Sequence, residues 1–416
     1  MISRDIYLER LKDRMHNGSI KVITGIRRCG KSVLLFDIFG GYLREQGVPN
    51  DCILCYKLDN IRSRKWRDAE VLYDDIVAKS EGKERCYVFL DEVQEVEDFS
   101  ELMNSLSQLR NLDVYVTGSN SRFLSTDILT EFRGRGDEVR VYPLTFAEFY
   151  GAKGGDRDKA WDEYHRFGGM PALFERQKAE QKAEYLKALV SKVYLADIVA
   201  RNRIQYPDEM DAIFDLVCSA VGSLTNPKRI ANALASVKGS NLSVNTVRRY
   251  LDQMCDAFLF ETAKRYDVKG RRYFDTPQKY YAADVGLRNA RLNFRQIEEN
   301  HIMENVIFNE LRVRGFSVDV GIVDVTETEG DVRKAKKLEV DFIATKGAEK
   351  FYIQSAYEMA TQDKLKQEKR SLVKIDDSFS KIIVVKDNIS ARIDDDGIVT
   401  VGLLDFLLKD LNFDFM

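Results

Sequence analysis

Histidine and paired cysteines, the usual ligands of metal centres, are scarce in this chain. Histidine occurs only three times in 416 residues, at positions 16, 165 and 301. The six cysteines include one C-x-x-C pair, Cys52 and Cys55, whereas a structural zinc site would need a second pair. The scarcity argues against a histidine-centred triad and a zinc site, and we expect Cys52 and Cys55 to be buried free thiols of a core strand. Carboxylates, lysines and arginines must therefore supply the chemistry.

Long apolar runs and a large net charge are also missing. No run approaches the roughly 20 apolar residues that a transmembrane helix needs. The first fifteen residues are charged and lack the apolar segment of a signal peptide. We therefore expect a cytoplasmic protein without membrane contact. The net charge of -3 does not by itself indicate a nucleic-acid-binding protein, so local charge has to be considered.

A complete phosphate-binding loop, G-x-x-x-x-G-K-S, occupies residues 25–32. The β-branched run 20–24 before it predicts a buried strand, and the apolar run 33–39 after it predicts a helix. In such a loop the backbone N–H groups surround phosphates, the lysine reaches the β- and γ-phosphates and the serine hydroxyl binds Mg²⁺. The sequence therefore predicts an ATP and Mg²⁺ site formed by Gly25, Ile26, Arg27, Arg28, Cys29, Gly30, Lys31, Ser32 and Val33.

Two carboxylates follow a second apolar run, C-Y-V-F-L at residues 86–90. A continuous apolar run predicts a strand that is buried on both faces. Ligands of open α/β sheets gather at the carboxyl ends of the strands, where Asp91 and Glu92 would lie. We expect Asp91 to hold Mg²⁺ and Glu92 to orient and deprotonate an attacking water.

Two further catalytic candidates follow the third predicted strand, residues 113–117. Asn120 could contact the γ-phosphate or the attacking water, with Ser119 and Thr117 as alternatives; an asparagine in an ordinary turn fits the pattern equally well. Arg135 or Arg133 lies before a strand at 138–142, a place that resembles the one from which ring-forming ATPases present an arginine to the nucleotide of a neighbouring subunit. Two solvent-facing arginines are the alternative.

Several motifs together resemble one family. They are the phosphate loop, L-D-E-V-Q at 90–94, T-G-S at 117–119, G-R at 134–135, Y-P-L-T-F-A-E-F at 142–149 and G-G-M-P at 168–171. As a set they resemble prokaryotic AAA-type ATPases that carry a C-terminal domain of unknown function, and the resemblance covers nearly the whole chain. It implies a central phosphate-loop strand, a helical lid and assembly into a homo-oligomer, a hexamer or other ring.

Residues 216–285 show the pattern of a winged helix. Asn226 and Pro227 begin a short helix, 227–237, and a turn at Gly239 separates it from a second helix, 244–257. Segments 258–262 and 278–281 could pair as the wing. Residues 216–280 carry eleven basic and five acidic side chains, a local charge of +6. DNA contacts are predicted for Thr246, Arg248, Arg249, Arg271 and Arg272, unless the module only packs domains together.

The last segment, 286–416, shows a second α/β pattern. A helix at 300–314 carries Glu304, a charged turn precedes a strand at 338–343 with Asp341, and another strand covers 350–356. This pattern resembles the restriction-endonuclease-like core, and the resemblance implies a Glu-x-Lys on the last strand that completes a Mg²⁺ site. The chain has Gln354-Ser355-Ala356 there. We therefore expect a degenerate, inactive site formed by Glu304, Asp341 and Gln354. Its carboxylates could be relics or the ligands of a weaker metal site, and Lys364 or Lys366 could take the place of the missing lysine.

The predicted fold class is α/β with four parts. These are a P-loop AAA-type core at 1–152, a helical lid at 153–215 with a long helix at 179–202, a winged helix at 216–285 and a nuclease-like domain at 286–416. The predicted function is Mg²⁺-dependent ATP hydrolysis in a ring that acts on DNA or a DNA-associated partner. The alternatives are a slow nucleotide switch that presents its C-terminal domain to a protein partner, and an ATP-dependent nuclease.

Overall fold

The structure is a computed structural model that describes residues 1–118, 136–329, 332–357 and 362–409. The chain divides into two compact units. The first contains residues 1–143 and 256–258, and the second contains residues 144–255 and 259–416. No helix among the described residues has the length and apolar character that crossing a bilayer requires.

A five-stranded parallel sheet forms the centre of the first unit. Its order is β2-β3-β4-β1-β5, and all four pairings are parallel. The strands are β1 (Ile20–Thr24), β2 (Ile53–Lys57), β3 (Cys86–Asp91), β4 (Leu112–Gly118) and β5 (Gly136–Arg140). Every residue of β1 and β3 is buried, including Lys21 of β1, whose ammonium group is paired with the carboxylate of Asp113. Because β1 lies between β4 and β5, and β4 separates β1 from β3, the phosphate-loop strand has a neighbour on both sides.

The helices of the first unit are mostly short. They are α1 (Asp5–Lys12), α2 (Lys31–Val33), α3 (Gly40–Glu45), α4 (Ala69–Ser80) and α5 (Phe99–Leu106), with 3₁₀ turns at Asn50–Cys52, Ile61–Arg67 and Val93–Glu95. The segment after the phosphate loop is helical as predicted, but its central part, Leu34–Phe39, is a π-helix between α2 and α3. The helix therefore starts on the last residues of the loop, which brings its N-terminal N–H groups to the loop.

The prediction of two buried cysteines on β2 is wrong. Cys55 is exposed and Cys52 is only half-buried. The reason is that β2 is the edge strand of the sheet, and its second half alternates between buried and exposed residues. A continuous apolar run in the sequence did not distinguish this edge strand from a central one.

The second unit begins with helices. They are α6 (Phe146–Lys153), α7 (Arg157–Phe167), α8 (Ala179–Ala188), α9 (Ala196–Asn202), α10 (Pro207–Ser219), α11 (Pro227–Lys238), α12 (Val244–Asp256), α13 (Val285–Arg291), α14 (Glu299–Val313), α15 (Gln362–Val373) and α16 (Leu403–Leu408), with a 3₁₀ turn at Pro171–Glu175. The predicted helix 179–202 corresponds to α8, a π-helical stretch Leu189–Leu195 and α9 in direct succession. Predicted and observed bounds of this helix agree.

An eight-stranded mixed sheet completes the second unit, in the order β12-β13-β11-β10-β9-β8-β6-β7. The strands are β6 (Phe260–Asp267), β7 (Arg272–Ala282), β8 (Ser317–Glu329), β9 (Val332–Lys346), β10 (Glu349–Ala356), β11 (Ser380–Val385), β12 (Arg392–Ile393) and β13 (Ile398–Gly402). The predicted charged turn before residue 338 is instead part of the long β8–β9 hairpin, in which Asp324 pairs with Lys337 and Thr326 with Ala335. Facing charges of opposite sign suit such a hairpin better than a loop.

The predicted wing strands do pair, but they do not form a separate wing. Residues 260–263 of β6 pair with 279–282 of β7, and residues 265–267 of β6 also pair in parallel with 320–322 of β8. The hairpin is therefore one end of the C-terminal sheet. Since one sheet crosses the expected boundary near residue 285, hydrogen bonding links the winged-helix and nuclease-like segments directly.

The G-G-M-P motif is explained by a close backbone approach to Asp284. A Cβ atom on Gly168 (φ +76°) would lie 2.2 Å from Asp284 Oδ1. The N–H of Gly169 donates to Asp284 Oδ2 at 2.7 Å, and the N–H of Leu287 donates to Oδ1 at 3.0 Å, which caps α13. Burial raises the pKa of this carboxyl to about 6, against the opposing effect of the backbone donors. The two glycines thus join the segment before α8 to the start of α13.

Candidate nucleotide site and C-terminal carboxylate cluster

The phosphate loop has the backbone conformation that anion binding requires. Gly25 (φ +141°), Arg28 (φ +67°) and Gly30 (φ +103°) all have positive φ. A Cβ atom on Gly25 would lie 2.0 Å from the carbonyl oxygen of Val141, so only glycine fits there. Alternation of left-handed with ordinary conformations turns successive N–H groups into one concavity. The geometry of the loop therefore suits a phosphate group.

The side chains of the loop divide into buried and exposed groups. Lys31 is buried, and its Nζ donates to the carbonyl oxygens of Gly25 at 2.9 Å and Ile26 at 3.1 Å. Its ammonium group therefore lies within the loop. Cys29 is buried and its thiol donates to the carbonyl oxygen of Val141, whereas Arg27, Arg28 and Val33 are exposed. Position 29 thus contributes packing below the loop.

Ser32 and Asp91 meet where a hard cation would be held. Ser32 Oγ donates to Asp91 Oδ1 at 3.0 Å, and Thr117 Oγ1 donates to the same oxygen at 2.6 Å. Burial raises the pKa of Asp91, although the hydrogen bonds from Thr117 and Ser32 oppose that rise. A hydroxyl beside a carboxylate is the oxygen donor set that Mg²⁺ prefers, so these residues fit the cation that the sequence predicted.

Glu92 has a strained backbone and a held side chain. Its φ and ψ of 54° and 52° are left-handed, which is uncommon outside glycine. Its N–H donates to Thr117 Oγ1 at 2.9 Å, and its carboxylate accepts a hydrogen bond from Gln94 Nε2. Thr117 therefore connects Asp91 to Glu92, and Gln94 restrains the carboxylate.

Sequence reasoning missed two residues that support this site. Gln94 belongs to the L-D-E-V-Q motif, but its place in the sequence did not indicate a role for it. Arg4, which is buried, donates from Nη2 to the carbonyl oxygen of Tyr142 at 2.7 Å and from Nη1 to that of Cys29 at 3.3 Å. It thereby ties the N-terminal segment to the phosphate loop. Nothing in the sequence near Arg4 signals this contact across 25 residues.

Two predicted catalytic residues, Asn120 and Arg135, lie outside the described residues, as do their alternatives Ser119 and Arg133. Their roles stay predictions.

The predicted DNA contacts fall on two parts of the second unit. On α12, Arg248 and Arg249 are exposed, while Thr246 is half-buried and its hydroxyl is hydrogen-bonded to Ser243 at 2.9 Å. At the tip of the β6–β7 hairpin, Arg271 and Arg272 are exposed. The cap that the sequence predicted at the start of α11 is present, because Asn226 Oδ1 accepts from the N–H of Arg229 at 2.8 Å. Gly239, where a turn was predicted, ends the helix in a left-handed conformation.

The predicted nuclease-like residues meet around a lysine. Lys279 Nζ lies 2.9 Å from Glu304 Oε1, 2.8 Å from Glu339 Oε1 and 3.6 Å from Asp341 Oδ1. Gln354 stands beside this cluster, and its Nε2 donates to Glu368 Oε2 at 3.2 Å. Sequence reasoning named Glu304, Asp341 and Gln354 but missed Lys279, which lies on β7 in the segment assigned to the winged helix.

The cluster has unusual electrostatics. Burial raises the pKa of Asp341 to about 7, with Lys279 acting in the opposite direction. Burial also favours the neutral form of Lys279, but the carboxylates of Glu304, Asp341 and Glu339 outweigh that effect and raise its pKa. Within the described part of the chain, no three His, Cys, Asp or Glu side chains are arranged to hold a metal ion.

Comparison with known families gives two matches along the chain. Residues 17–150 match the model of an AAA domain, and residues 158–298 match a domain of unknown function (DUF8612). An uncharacterized protein of Haemophilus influenzae is 34% identical over 415 residues, covering 98% of this chain and 99% of that protein. The uncharacterized protein MJ1544 of Methanocaldococcus jannaschii is 27% identical over 408 residues, which are 93% of this chain and 86% of that protein. The chain belongs to this family, in which an AAA domain precedes a domain of unknown function, as the motif resemblance predicted.

Solved structures give a weaker likeness. The Aeropyrum pernix ORC1 protein in complex with DNA covers 70% of this chain and 93% of its own, with 12% identity and a TM-score of 0.29. For Cdc6p from Pyrobaculum aerophilum the match covers 73% of this chain and 94% of that chain, with 12% identity and a TM-score of 0.31. The fold of the first unit is therefore assigned from its strand order and the family match.

Proposed function

We propose that this protein is a Mg²⁺-dependent ATPase. The observation that carries the proposal is the meeting of Ser32 with Asp91 beside the loop that encloses the Lys31 ammonium group. A bound nucleoside triphosphate would lie against the loop N–H groups, with Lys31 at its β- and γ-phosphates. Ser32 and Asp91 would hold Mg²⁺, which neutralises charge on the phosphates. Glu92 would orient the attacking water and accept its proton.

Nucleotide binding by matched variants tests this proposal. Calorimetry should show Mg²⁺-ATP binding to the wild type and its loss in Lys31→Ala, while Lys65→Ala, which removes an exposed lysine of the same unit outside the loop, keeps it. The comparison separates the ammonium group inside the loop from general positive charge. Equal binding by wild type and Lys31→Ala would overturn the proposal.

A ring that engages DNA is the finer form of the proposal. Two features support it: the exposed basic side chains of α12 and the β6–β7 tip, and the predicted Arg135, which would act on the nucleotide of a neighbouring subunit. Mass photometry with and without ATP measures assembly. In a DNA titration the Arg248→Ala/Arg249→Ala pair should lower the salt dependence of binding by up to about two counterions. The exposed pair Lys366→Ala/Lys374→Ala is the charge-matched control. If both double variants lose the same salt dependence, α12 is not the DNA-binding surface.

A slow nucleotide switch is the second candidate, and the Gln94–Glu92 hydrogen bond favours it. The Gln94 amide occupies Glu92 Oε2, an oxygen that would otherwise be placed to contact an attacking water. Such a protein would bind ATP tightly, hydrolyse it slowly and present its C-terminal domain to a protein partner. Turnover near zero in a monomer, with or without DNA, would support the switch. Nucleotide-dependent assembly with DNA-stimulated turnover would support the ring-forming ATPase.

A further inference from the structure

The carboxylate cluster of the C-terminal sheet already contains a cation that belongs to the chain itself. Glu304 lies on α14, Glu339 and Asp341 lie on β9, and Lys279 reaches them from β7. Each of the three carboxylates has an oxygen within 4 Å of Lys279 Nζ. Tyr281 also donates to Glu304 Oε1, at 2.6 Å. The ammonium group therefore sits at the centre of the three carboxylates.

Burial makes this arrangement a fixed one. The Lys279 side chain is 4% exposed, and those of Asp341 and Glu304 are 11% and 12% exposed. A buried ammonium group is tolerated only when anions and hydrogen-bond acceptors replace its water. Lys279 therefore cannot leave the cluster without giving up its compensating charges.

The oxygens around Lys279 are of the type that a divalent metal takes, although with the lysine in place the described carboxylates are not arranged to hold one. The resemblance to the restriction-endonuclease-like core implies Mg²⁺ held by a strand aspartate and nearby carboxylates, and Asp341 and Glu304 were predicted at those places. Divalent cations of this kind require oxygens at about 2.0–2.6 Å. An ammonium group 2.8–3.6 Å from Glu339, Glu304 and Asp341 occupies that volume and supplies positive charge there.

Strand β10 supports the same interpretation. A metal-dependent centre would carry a carboxylate at position 354, but the chain has a glutamine there, and its amide is directed to Glu368. The N–H of Ser355 donates to Asp341 Oδ2 at 2.9 Å, so the second oxygen of Asp341 is also engaged. One negative charge fewer on β10 matches a centre that holds a monovalent cation.

We propose that the Lys279 ammonium group replaces the divalent cation of this nuclease-like centre, so that the centre is an internal ion cluster that takes up no metal and cleaves no phosphodiester. The inference concerns the second unit alone and does not depend on ATP binding. Lys279 is then the internal cation and Glu339 one of its carboxylate partners. The predicted absence of nuclease activity follows from the Lys279 side chain.

The proposal is tested by measuring Mn²⁺ binding to the full chain in the absence of nucleotide. The electron paramagnetic resonance signal of free Mn²⁺ gives the amount that stays unbound. Wild type and Glu339→Gln should bind Mn²⁺ equally, because Glu339 faces the lysine. Lys279→Met removes the charge and keeps an unbranched side chain. It should gain one site per chain, roughly tenfold or more tighter than any binding by wild type, and Lys279→Met/Asp341→Asn should lose it again.

Two results would overturn the proposal. One is Mn²⁺ uptake by wild type that Glu339→Gln abolishes. The other is a folded Lys279→Met, verified by circular dichroism and gel filtration, that gains no site. The first comparison remains decisive if Lys279→Met does not fold, because Glu339 is 35% exposed and its change is a mild one. Wild type should also leave supercoiled DNA intact with Mg²⁺ or Mn²⁺, and cleavage that Asp341→Asn removes would refute the proposal as well.

Discussion

Ser32 Oγ and Asp91 Oδ1 lie 3.0 Å apart, although 59 residues separate them in the chain. The contact joins the last residue of the phosphate loop to the end of β3. Ser32 follows β1 by way of the phosphate loop and Asp91 ends β3, and these two strands are not neighbours, because β4 lies between them. Thr117, at the end of β4, bridges that gap by its hydrogen bond to the same oxygen of Asp91. The phosphate loop after β1 and the ends of β3 and β4 thus converge on one carboxylate.

The first prediction concerns this contact. Ser32→Ala should weaken Mg²⁺-ATP binding by about 1–3 kcal/mol, since a metal ligand and a hydrogen bond to a charged group are both lost. Binding measured in EDTA should change little. Ser32→Thr keeps the hydroxyl and should bind like the wild type. Titration of a fluorescent ATP analogue with and without Mg²⁺ measures the affinity of the wild type and of both variants. If Ser32→Ala loses the same affinity with and without Mg²⁺, Ser32 has no role at the metal.

The second prediction separates binding from chemistry. Glu92→Gln should bind Mg²⁺-ATP with wild-type affinity but lower kcat by about 10²–10⁴, because a positioned general base is removed. Phosphate release under saturating ATP gives kcat. The exposed Glu101→Gln, on α5 of the same unit, is the control for loss of a carboxylate. Unchanged turnover in Glu92→Gln would refute Glu92 as the base.

A third prediction concerns Gln94. Removing its amide by Gln94→Ala should raise the basal kcat several-fold without a change in ATP affinity, because the amide then no longer occupies Glu92 Oε2, which the attacking water needs as its acceptor. The exposed Gln108→Ala serves as the control. A lower kcat in Gln94→Ala would instead mean that the amide holds Glu92 in its productive position.

The fourth prediction is a pH dependence of stability that comes from Asp284. Its pKa is raised from 3.8 to about 6 in the folded protein, so the folded state binds the proton more tightly than the unfolded state. The stabilisation from this proton is present below about pH 4 and is lost as the pH rises through 6. It amounts to at most about 1.4 kcal/mol for each pH unit in that window.

Thermal midpoints measured between pH 4.5 and 7.5 test this assignment. Asp284→Asn does not titrate, so its midpoint should fall less steeply with pH than that of the wild type, whatever its absolute value. The exposed Asp162→Asn should keep the wild-type slope. Parallel slopes for wild type and Asp284→Asn would contradict the assignment.

The nucleotide site was predictable because local pattern and backbone chemistry determine it. G-x-x-x-x-G-K-S places Lys31 in the loop, and an apolar run ending in Asp91-Glu92 identifies a buried strand with carboxylates at its end. The helix cap at Asn226 and the turn at Gly239 were predictable for the same reason, since each depends on a few adjacent residues.

What the sequence did not predict depends on contacts between distant segments. The lysine at position 279 gives no local signal that it will meet Glu304 and Asp341, because that encounter is set by sheet order. The exposure of Cys55 likewise follows from the edge position of β2. The charged segment after residue 324 was interpreted as a turn because alternating charges on a two-sided polar hairpin lack the apolar face that marks a strand.

The pairing of β6 with both β7 and β8 has a mechanical consequence. A rotation of α11 and α12 that carried the hairpin with them would have to break backbone hydrogen bonds along β8 or drag the whole mixed sheet along. Such a movement would also displace Lys279, because this residue lies on β7 of the same hairpin. Any chain shortened near residue 290 would leave β6 with a bare edge, so the segments from 216 onward are best expressed and studied together.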